Sequence, residues 1–154
     1  MGQTFVRRSI LGYFMGGAAA AALSASTSPT FAAAMNLKAD LKGSEEVPPN
    51  TTGGSGTLTA TFDPATKMLT WKGSFSGLTG PATAAHFHGP AEPGKNAGVA
   101  VFISKKDTPF TSPFEGSATL TDAQAADLEA GRWYVNIHTD ANKGGELRGQ
   151  LVKG

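Results

Sequence analysis

Short stretches in which apolar or β-branched residues alternate with polar ones recur along the chain after about residue 35. A period of two is typical of strands that bury one face and expose the other. Eight strands are predicted, over residues 36–42, 57–62, 68–71, 82–88, 98–104, 114–120, 132–139 and 145–152. Gly and Pro cluster between these stretches, as turns require. The pattern predicts an all-β protein, an antiparallel sandwich or barrel of about eight strands.

Two local patterns refine this prediction. Residues 63–67 read Asp-Pro-Ala-Thr-Lys between two alternating stretches, which indicates a tight turn and a β-hairpin. Further along, Thr121 and Gln124 have the spacing of a capping box, in which each side chain bonds to the other residue's backbone N–H. Strong helix formers follow, and Gly131 can supply the left-handed residue that ends a helix. One short helix is therefore predicted over residues 122–130.

The first 34 residues have a different character. Arg7 and Arg8 precede an apolar, Gly/Ala-rich stretch over residues 10–23, and three alanines stand at 32–34. This order is typical of a cleavable export signal, and the paired arginines also resemble a twin-arginine signal. The apolar stretch is too short to cross a hydrocarbon core of roughly 30 Å as a helix, although a retained anchor is the alternative. We expect residues 1–34 to be removed by either export route, leaving 35–154 as a periplasmic or secreted domain without a membrane span.

Composition and charge narrow the function. The chain of 154 residues has 13 Lys and Arg, 12 Asp and Glu, and a formal net charge of +1. Because Arg7 and Arg8 belong to the predicted signal, the remaining domain has a net charge of about −1. That charge excludes nucleic-acid binding driven by electrostatic attraction to phosphates. The chain has no Cys, which excludes disulfides, thiolate metal sites and cysteine nucleophiles.

The three histidines of the chain are expected to share a polar face. His86 and His88 flank Phe87 in a predicted strand, so both imidazoles point away from the core that Phe87 enters. The same alternation in residues 134–139 places His138 opposite the core residues. Both His-containing segments end beside loops, so the imidazoles are expected at the surface or at a rim.

Two histidines at i and i+2 with a third from another strand are a recurring metal-binding arrangement, and imidazole suits copper and zinc. His86, His88 and His138 are therefore the candidate metal ligands. Tyr134, Asn136 and Glu146 are candidates for orienting the imidazoles. Oxygen ligands could come from Glu46, Glu92, Asp140 or Glu146. The alternative is that the three histidines only bond to loop backbone and shape turns.

Other segments predict architecture more than chemistry. Residues 45–49, Glu-Glu-Val-Pro-Pro, are interpreted as a structural loop or a binding edge, because adjacent carboxylates in an extended chain diverge. Glu146 and Arg148 share a strand face and are expected to form ion pairs across a sheet. Trp71 and Trp133 are predicted core residues. No Ser/His/Asp set and no phosphate loop has recognisable local context, so a non-enzymatic role is favoured.

In order along the chain, five segments resemble the CHRD domain, which is repeated in the extracellular protein chordin and occurs singly in exported bacterial proteins. The segments are LKGSEEVPP at 41–49, GLTG at 77–80, AAHFHGPA at 84–91, GRWYVNIHT at 131–139 and GGELRGQL at 144–151. The resemblance implies an extracytoplasmic, β-sandwich-like domain and, for chordin-like proteins, protein binding. The His-x-His strand end also resembles the copper ligands of Cu/Zn superoxide dismutase, without that family's full ligand set or disulfide.

Two functional hypotheses follow. The first is an exported, non-enzymatic β-domain that binds copper or zinc through its three histidines. The alternative is a protein-interaction module of the cell envelope or extracellular matrix that holds no metal, with residues 45–49 and the histidine strands as its binding face. A metal-dependent redox enzyme is a third, weaker option. The partner is thus a metal ion or an unknown extracytoplasmic protein.

Overall fold

The computed structural model describes residues 1–2, 33–105 and 108–154. The predicted export signal lies almost entirely outside the described residues. The described residues from 33 to 154 belong to one compact unit. Within the part of the chain that the structure describes, no helix is long and apolar enough to cross a membrane.

Nine strands and one α-helix make up the described domain, and every strand pair is antiparallel. The strands are β1 (Met35–Lys42), β2 (Ser55–Asp63), β3 (Met68–Ser76), β4 (Ala82–His88), β5 (Val99–Phe102), β6 (Phe114–Thr119), β7 (Tyr134–Thr139), β8 (Leu147–Gln150) and β9 (Val152–Lys153). A 3₁₀ turn, Gly43–Glu45, follows β1, and the helix α1 spans Asp122–Glu129. The predicted all-β class with one short helix is confirmed.

Only the predicted strand 82–88 has the same bounds in the structure; the others differ at one or both ends, and two of them differ in kind. The stretch 98–104 forms a strand only over Val99–Phe102, and 145–152 is divided into β8 and β9. Leu151 separates these two strands, because its buried side chain enters the core and its backbone N–H donates to the Trp133 carbonyl, 2.9 Å away. One predicted strand thus becomes two.

The sheet is a nearly closed barrel. Its strands follow the order β5-β4-β7-β8-β1-β2-β3-β6, with β9 also paired to β1. Four strands separate β4 from β3 in this order, yet the rings of Phe87 and Trp71 meet edge to face with centroids 5.1 Å apart. Ala82 in β4 also forms an isolated bridge to Phe110, just before β6. The sheet therefore curls until its two ends approach each other.

The core fills the inside of this curled sheet. It is built from the side chains that point inward, which are alternate residues of each strand. Trp71 and Trp133 are both buried there, as predicted. Burying such side chains provides roughly 25 cal/mol per Å² of apolar surface, which is the main stabilising contribution in a chain without disulfides. The other large buried members are Leu37, Leu41, Leu58, Phe62, Leu69, Phe87, Leu120, Leu128, Val135, Ile137, Leu147 and Leu151.

Both local predictions are confirmed, with one boundary changed. β2 and β3 form the expected hairpin, and the Asp63 carboxylate accepts a hydrogen bond from the Ala65 N–H at 2.9 Å. Thr121 and Gln124 form the capping box. The helix ends at Glu129, one residue earlier than predicted, because Ala130 is its C-cap; Gly131 follows in the left-handed region with φ 73°.

Candidate metal centre

The outer face of β4, β7 and β8 is covered by two loops. The first covering loop, residues 43–54, is held by Asn50, whose amide donates to the Glu146 carbonyl at 3.0 Å. The second covering loop, residues 89–98, is tied to the first by the Asn96 amide, which donates to the Val47 carbonyl at 3.0 Å. His88 is therefore buried and only 8% exposed, whereas His86 and His138 are partly exposed, as expected at a rim. Together with Glu46 of the first covering loop, the polar side chains of this face form what we call the polar layer, which consists of Glu46, His86, His88, Tyr134, Asn136, His138, Glu146 and Arg148.

The structure brings the three candidate ligands together. His86 Nδ1 lies 3.2 Å from His138 Nε2, and one nitrogen from each of the three rings lies within 4.8 Å of the others. This follows from strand pairing, because β4 and β7 are neighbours and place Ala84 opposite His138. Among the described residues, these three form the one cluster of His, Asp or Glu with a geometry suited to a metal ion.

Backbone carbonyls fix two of the imidazoles. His88 Nδ1–H donates to the Ala97 carbonyl at 3.0 Å, and His138 Nδ1–H donates to the Lys143 carbonyl at 3.0 Å. When neutral, each of these rings therefore carries its lone pair on Nε2. The buried Nε2 of His88 has no hydrogen-bond partner among the described residues. A buried acceptor without a donor is costly, and an ion or a proton would satisfy it.

The electrostatics keep the imidazoles neutral. Burial, reinforced by repulsion from His138 and His88, lowers the pKa of His86 to about 4. Burial also lowers the pKa of His88 and of His138, against the opposing effect of their hydrogen bonds to backbone carbonyls. Neutral imidazole is the form that binds metals, so few protons compete for these nitrogens near neutral pH.

The donor set fits copper(II) or zinc(II). Nitrogens bound to one ion at 2.0–2.1 Å lie roughly 3.3–4.2 Å apart. The closest pair, in His86 and His138, is already at 3.2 Å, and the 4.8 Å limit on the other pairs leaves under about 1.5 Å to be closed by side-chain rotation. Three nitrogen ligands leave a position open, and the absence of Cys disfavours metals that require thiolate.

Two of the predicted orienting residues lie beside the cluster. The Tyr134 ring stacks on His88 with centroids 4.9 Å apart and an interplanar angle of 4°. Asn136 lies beside His88 and donates through Nδ2 to the Gly144 carbonyl at 3.4 Å. Its buried Oδ1 has no donor among the described residues. Two acceptors, His88 Nε2 and Asn136 Oδ1, thus lack donors in the same part of the polar layer.

The expectation that Glu146 orients an imidazole is wrong. Its fully buried carboxylate accepts hydrogen bonds from the hydroxyls of three threonines and the amide of Asn142; the threonines are Thr52, Thr79 and Thr139. No hydrogen bond among the described residues joins it to a histidine. The predicted ion pairs of Glu146 and Arg148 across the sheet are also absent among the described residues, because threonine and Asn142 donors surround the carboxylate and Arg148 donates to the Lys95 carbonyl and Asn96 Oδ1.

Among the candidate oxygen ligands, Glu46 contacts Asn136, which lies beside His88. Its loop folds over the polar layer, and Oε1 lies 3.5 Å from Asn136 Nδ2. Burial raises the pKa of Glu46 to about 7, in spite of the positive charge on Arg148. Neither Glu46 nor the exposed residues Glu92 and Asp140 belong to the metal-compatible cluster.

Sequence reasoning missed the part played by Arg148. The guanidinium of this residue lies 3.5 Å from the centroid of the Tyr134 ring and donates to Asn96 Oδ1 at 2.8 Å. Its position in a strand between Leu147 and Gly149 was the available signal, because a charged side chain on a strand face must find partners when that face is covered.

Comparisons with known proteins bear on the whole domain. The family model of the CHRD domain matches residues 37–151. No curated protein and no solved structure matches the chain.

Proposed function

The chain belongs to the CHRD domain family, and from this membership and the geometry of its polar layer we propose that it is an exported, non-enzymatic β-domain that binds copper(II) or zinc(II). His86, His88 and His138 are the ligands in this proposal. CHRD is an extracellular-type domain, which agrees with export as the cellular setting.

The observation that carries the proposal is the buried, unpartnered Nε2 of His88. Its ring cannot turn to hide the lone pair without losing the hydrogen bond from Nδ1 to Ala97. One nitrogen from each of the three imidazoles lies within 4.8 Å of the others, and His86 Nδ1 lies at hydrogen-bond distance, 3.2 Å, from His138 Nε2. A divalent ion supplies the positive charge that three converging neutral imidazoles lack.

Titration calorimetry tests this proposal. The protein, stripped with a chelator, is titrated with copper(II) and with zinc(II), and one ion per chain is expected. Replacing one histidine, in His86→Gln, His88→Gln or His138→Gln, should weaken binding by more than about 100-fold, because losing a ligand costs more than losing an outer-shell partner. The control is Asp140→Asn, which removes a nearby carboxylate outside the cluster. Equal affinity in the control and the histidine variants would refute the proposal.

Export is proposed on the pattern of residues 1–34, with Arg7 and Arg8 at its start. Mass spectrometry of protein recovered from the periplasm or the medium should give a chain that begins at or near residue 35. The double variant Arg7→Lys with Arg8→Lys separates the two routes, since the twin-arginine route should fail and the general route should continue. A full-length chain retained in the cytoplasm would contradict the proposal.

A protein-interaction module without a metal is the second candidate, and one observation favours it. Phe102 is 69% exposed on β5, a terminal strand of the sheet, and its neighbour Val99 is also exposed. Large apolar side chains on an unpaired edge are typical of protein contacts. Retention of an envelope protein should be lost in Phe102→Ser and kept in Met68→Ser, which alters an exposed residue of β3. Equal retention by both variants would count against this function.

A further inference from the structure

Arg148 is buried more completely than a charged residue usually is. Only 2% of it is exposed, and it is not among the residues that converge on the candidate metal centre. Burying a guanidinium is costly unless its donors are used, so its contacts indicate what it does.

One set of contacts fixes a ring. The Arg148 guanidinium lies over Tyr134, 3.5 Å from the ring centroid, and the Tyr134 ring is stacked on His88. Because β7 lies between β4 and β8, Tyr134 stands between the arginine and the histidine. The planar guanidinium therefore supports the ring against which the His88 imidazole packs.

The other set of contacts fixes a backbone acceptor. Arg148 Nη2 donates to the Lys95 carbonyl at 2.5 Å and Nη1 donates to Asn96 Oδ1 at 2.8 Å. The next residue, Ala97, supplies the carbonyl that accepts the His88 Nδ1–H, and its own N–H donates to the Tyr134 hydroxyl at 3.2 Å. Both supports of the imidazole, the stacked ring and the carbonyl, are thus held by one side chain.

We propose that Arg148 is a positioning residue for His88: it holds Tyr134 and the segment 95–97 so that His88 keeps its proton on Nδ1 and presents Nε2 to the metal. This inference rests on the proposed metal-binding function for its last step only. The orientation and tautomer of His88 are properties of the metal-free protein, so they can be tested without any ion.

Arg148→Lys is the informative variant. Lysine keeps the positive charge and the aliphatic stem, but it has no plane to stack on Tyr134 and no fork to reach Lys95 and Asn96 together. The matched control is Arg132→Lys. In the unaltered protein, the Arg132 guanidinium forms an ion pair with Asp127 in α1. Long-range ¹H–¹⁵N correlation of the histidine rings, in the metal-free protein, reports the tautomer of each imidazole.

In the unaltered protein we expect His88 and His138 each to be a single tautomer protonated on Nδ1. In Arg148→Lys the His88 signals should change to a mixture of tautomers while those of His138 stay, because His138 bonds to the Lys143 carbonyl. Affinity for zinc(II) should fall about 10–100-fold, and Arg132→Lys should change neither readout. An unchanged His88 tautomer, or equal changes at His88 and His138, would overturn the proposal.

A second variant guards against misfolding. Asn96 is exposed, so Asn96→Ala should fold; it removes one of the two acceptors of Arg148 together with the amide that donates to the Val47 carbonyl, and Asn96→Asp, which loses that amide but keeps an acceptor for Arg148, is its control. Asn96→Ala should shift the His88 tautomer in the same direction by a smaller amount, and no shift would count against the positioning role. If the His88 tautomer responds as expected while zinc(II) and copper(II) do not bind the unaltered protein, the positioning role stands and the proposed function fails.

Discussion

Glu46, in the first covering loop, and Glu146, just before β8, are both buried, yet their carboxyl groups behave in opposite ways. Burial by itself raises the pKa of Glu146, but hydrogen bonds from Thr139, Thr79 and Thr52 outweigh it and lower that pKa to about 2. For Glu46, burial dominates over the charge of Arg148 and the hydrogen bond of Asn136, and the pKa is raised to about 7. The two carboxyls differ in how many donors surround them.

The difference divides the polar layer into two regions. Around Glu146 every acceptor has a donor, as expected of a group that serves to hold loops together. Around Glu46 and the histidines, His88 Nε2 and Asn136 Oδ1 are left without donors. A region in which every acceptor has a hydrogen-bond donor needs no ligand, whereas the region in which acceptors lack donors is suited to a cation. This contrast makes the histidine end the functional candidate and the Glu146 end its structural support.

The largest expected effect is the loss of the Glu146 carboxylate. Glu146→Ala would leave three threonine hydroxyls and the Asn142 amide without their acceptor and open a cavity under two loops. We expect the free energy of unfolding in urea to fall by about 3–5 kcal/mol. Glu115→Ala, at an exposed position of β6, is the control. If both variants lost the same small amount, Glu146 would not be the structural support of this face.

The next effect is a pH dependence that Glu46 introduces. The folded protein keeps the Glu46 proton up to about pH 7, whereas an unfolded glutamate loses it near 4.5, so the folded state binds more protons between these values. The Glu46 contribution to the free energy of unfolding should therefore decrease as the pH rises from about 4.5 to 7, by up to about 3 kcal/mol, while the three histidines, whose pKa values are lowered by folding, contribute with the opposite sign below about pH 6.5. The Glu46 contribution is the difference between the unaltered protein and Glu46→Gln, and this difference should change by that amount across the range when unfolding is followed at several pH values with chelator present.

The adjacent exposed residue offers a matched control for this measurement. Glu45→Gln removes one carboxylate at nearly the same place in the first covering loop and should retain the pH dependence of the unaltered protein. Glu146 contributes with the opposite sign, since its stabilisation is complete above about pH 4.5 and is lost as the pH falls toward 2. A parallel pH profile for Glu46→Gln and Glu45→Gln would contradict the assignment.

The smallest expected effect is the stabilisation that an ion gives the region short of donors. At a zinc(II) concentration about 100 times the dissociation constant, binding to the folded state alone adds about 2.7 kcal/mol, or roughly 10 °C in Tm for a domain of this size. His88→Gln should show no such rise in differential scanning calorimetry, and Asp140→Asn should show it in full. An equal rise in both variants would locate the bound ion elsewhere.

Local patterns made much of the fold predictable. The capping box at Thr121 and the turn at residues 63–67 act within a few residues, so the sequence contains all the information they need. Strand alternation also placed His86, His88 and His138 on one side of the sheet, and the structure brings them together. Metal binding itself stays a prediction.

The covering loops were not predictable in the same way. Alternation tells which residues enter the core, and it leaves the other face to be taken as exposed. Long-range hydrogen bonds, among them those of Asn50 and Asn96, close the loops over that face. A signal was present in the length of residues 43–54 and 89–98, because loops of about ten residues or more are longer than most connections in compact domains. Another signal was the glycine at position 145. A Cβ there would lie 2.2 Å from Glu46 Oε1, so a residue without a side chain is needed where the first covering loop packs.

In β4, Phe87 belongs to the core while His86 and His88 on either side of it belong to the candidate metal centre. Since side chains alternate across a strand, slipping this strand by one residue would turn the aromatic ring outward and drive both imidazoles into apolar packing. A chain in which β4 is slipped by one residue could therefore not present these ligands. Binding of an ion would report that β4 has paired in its correct register.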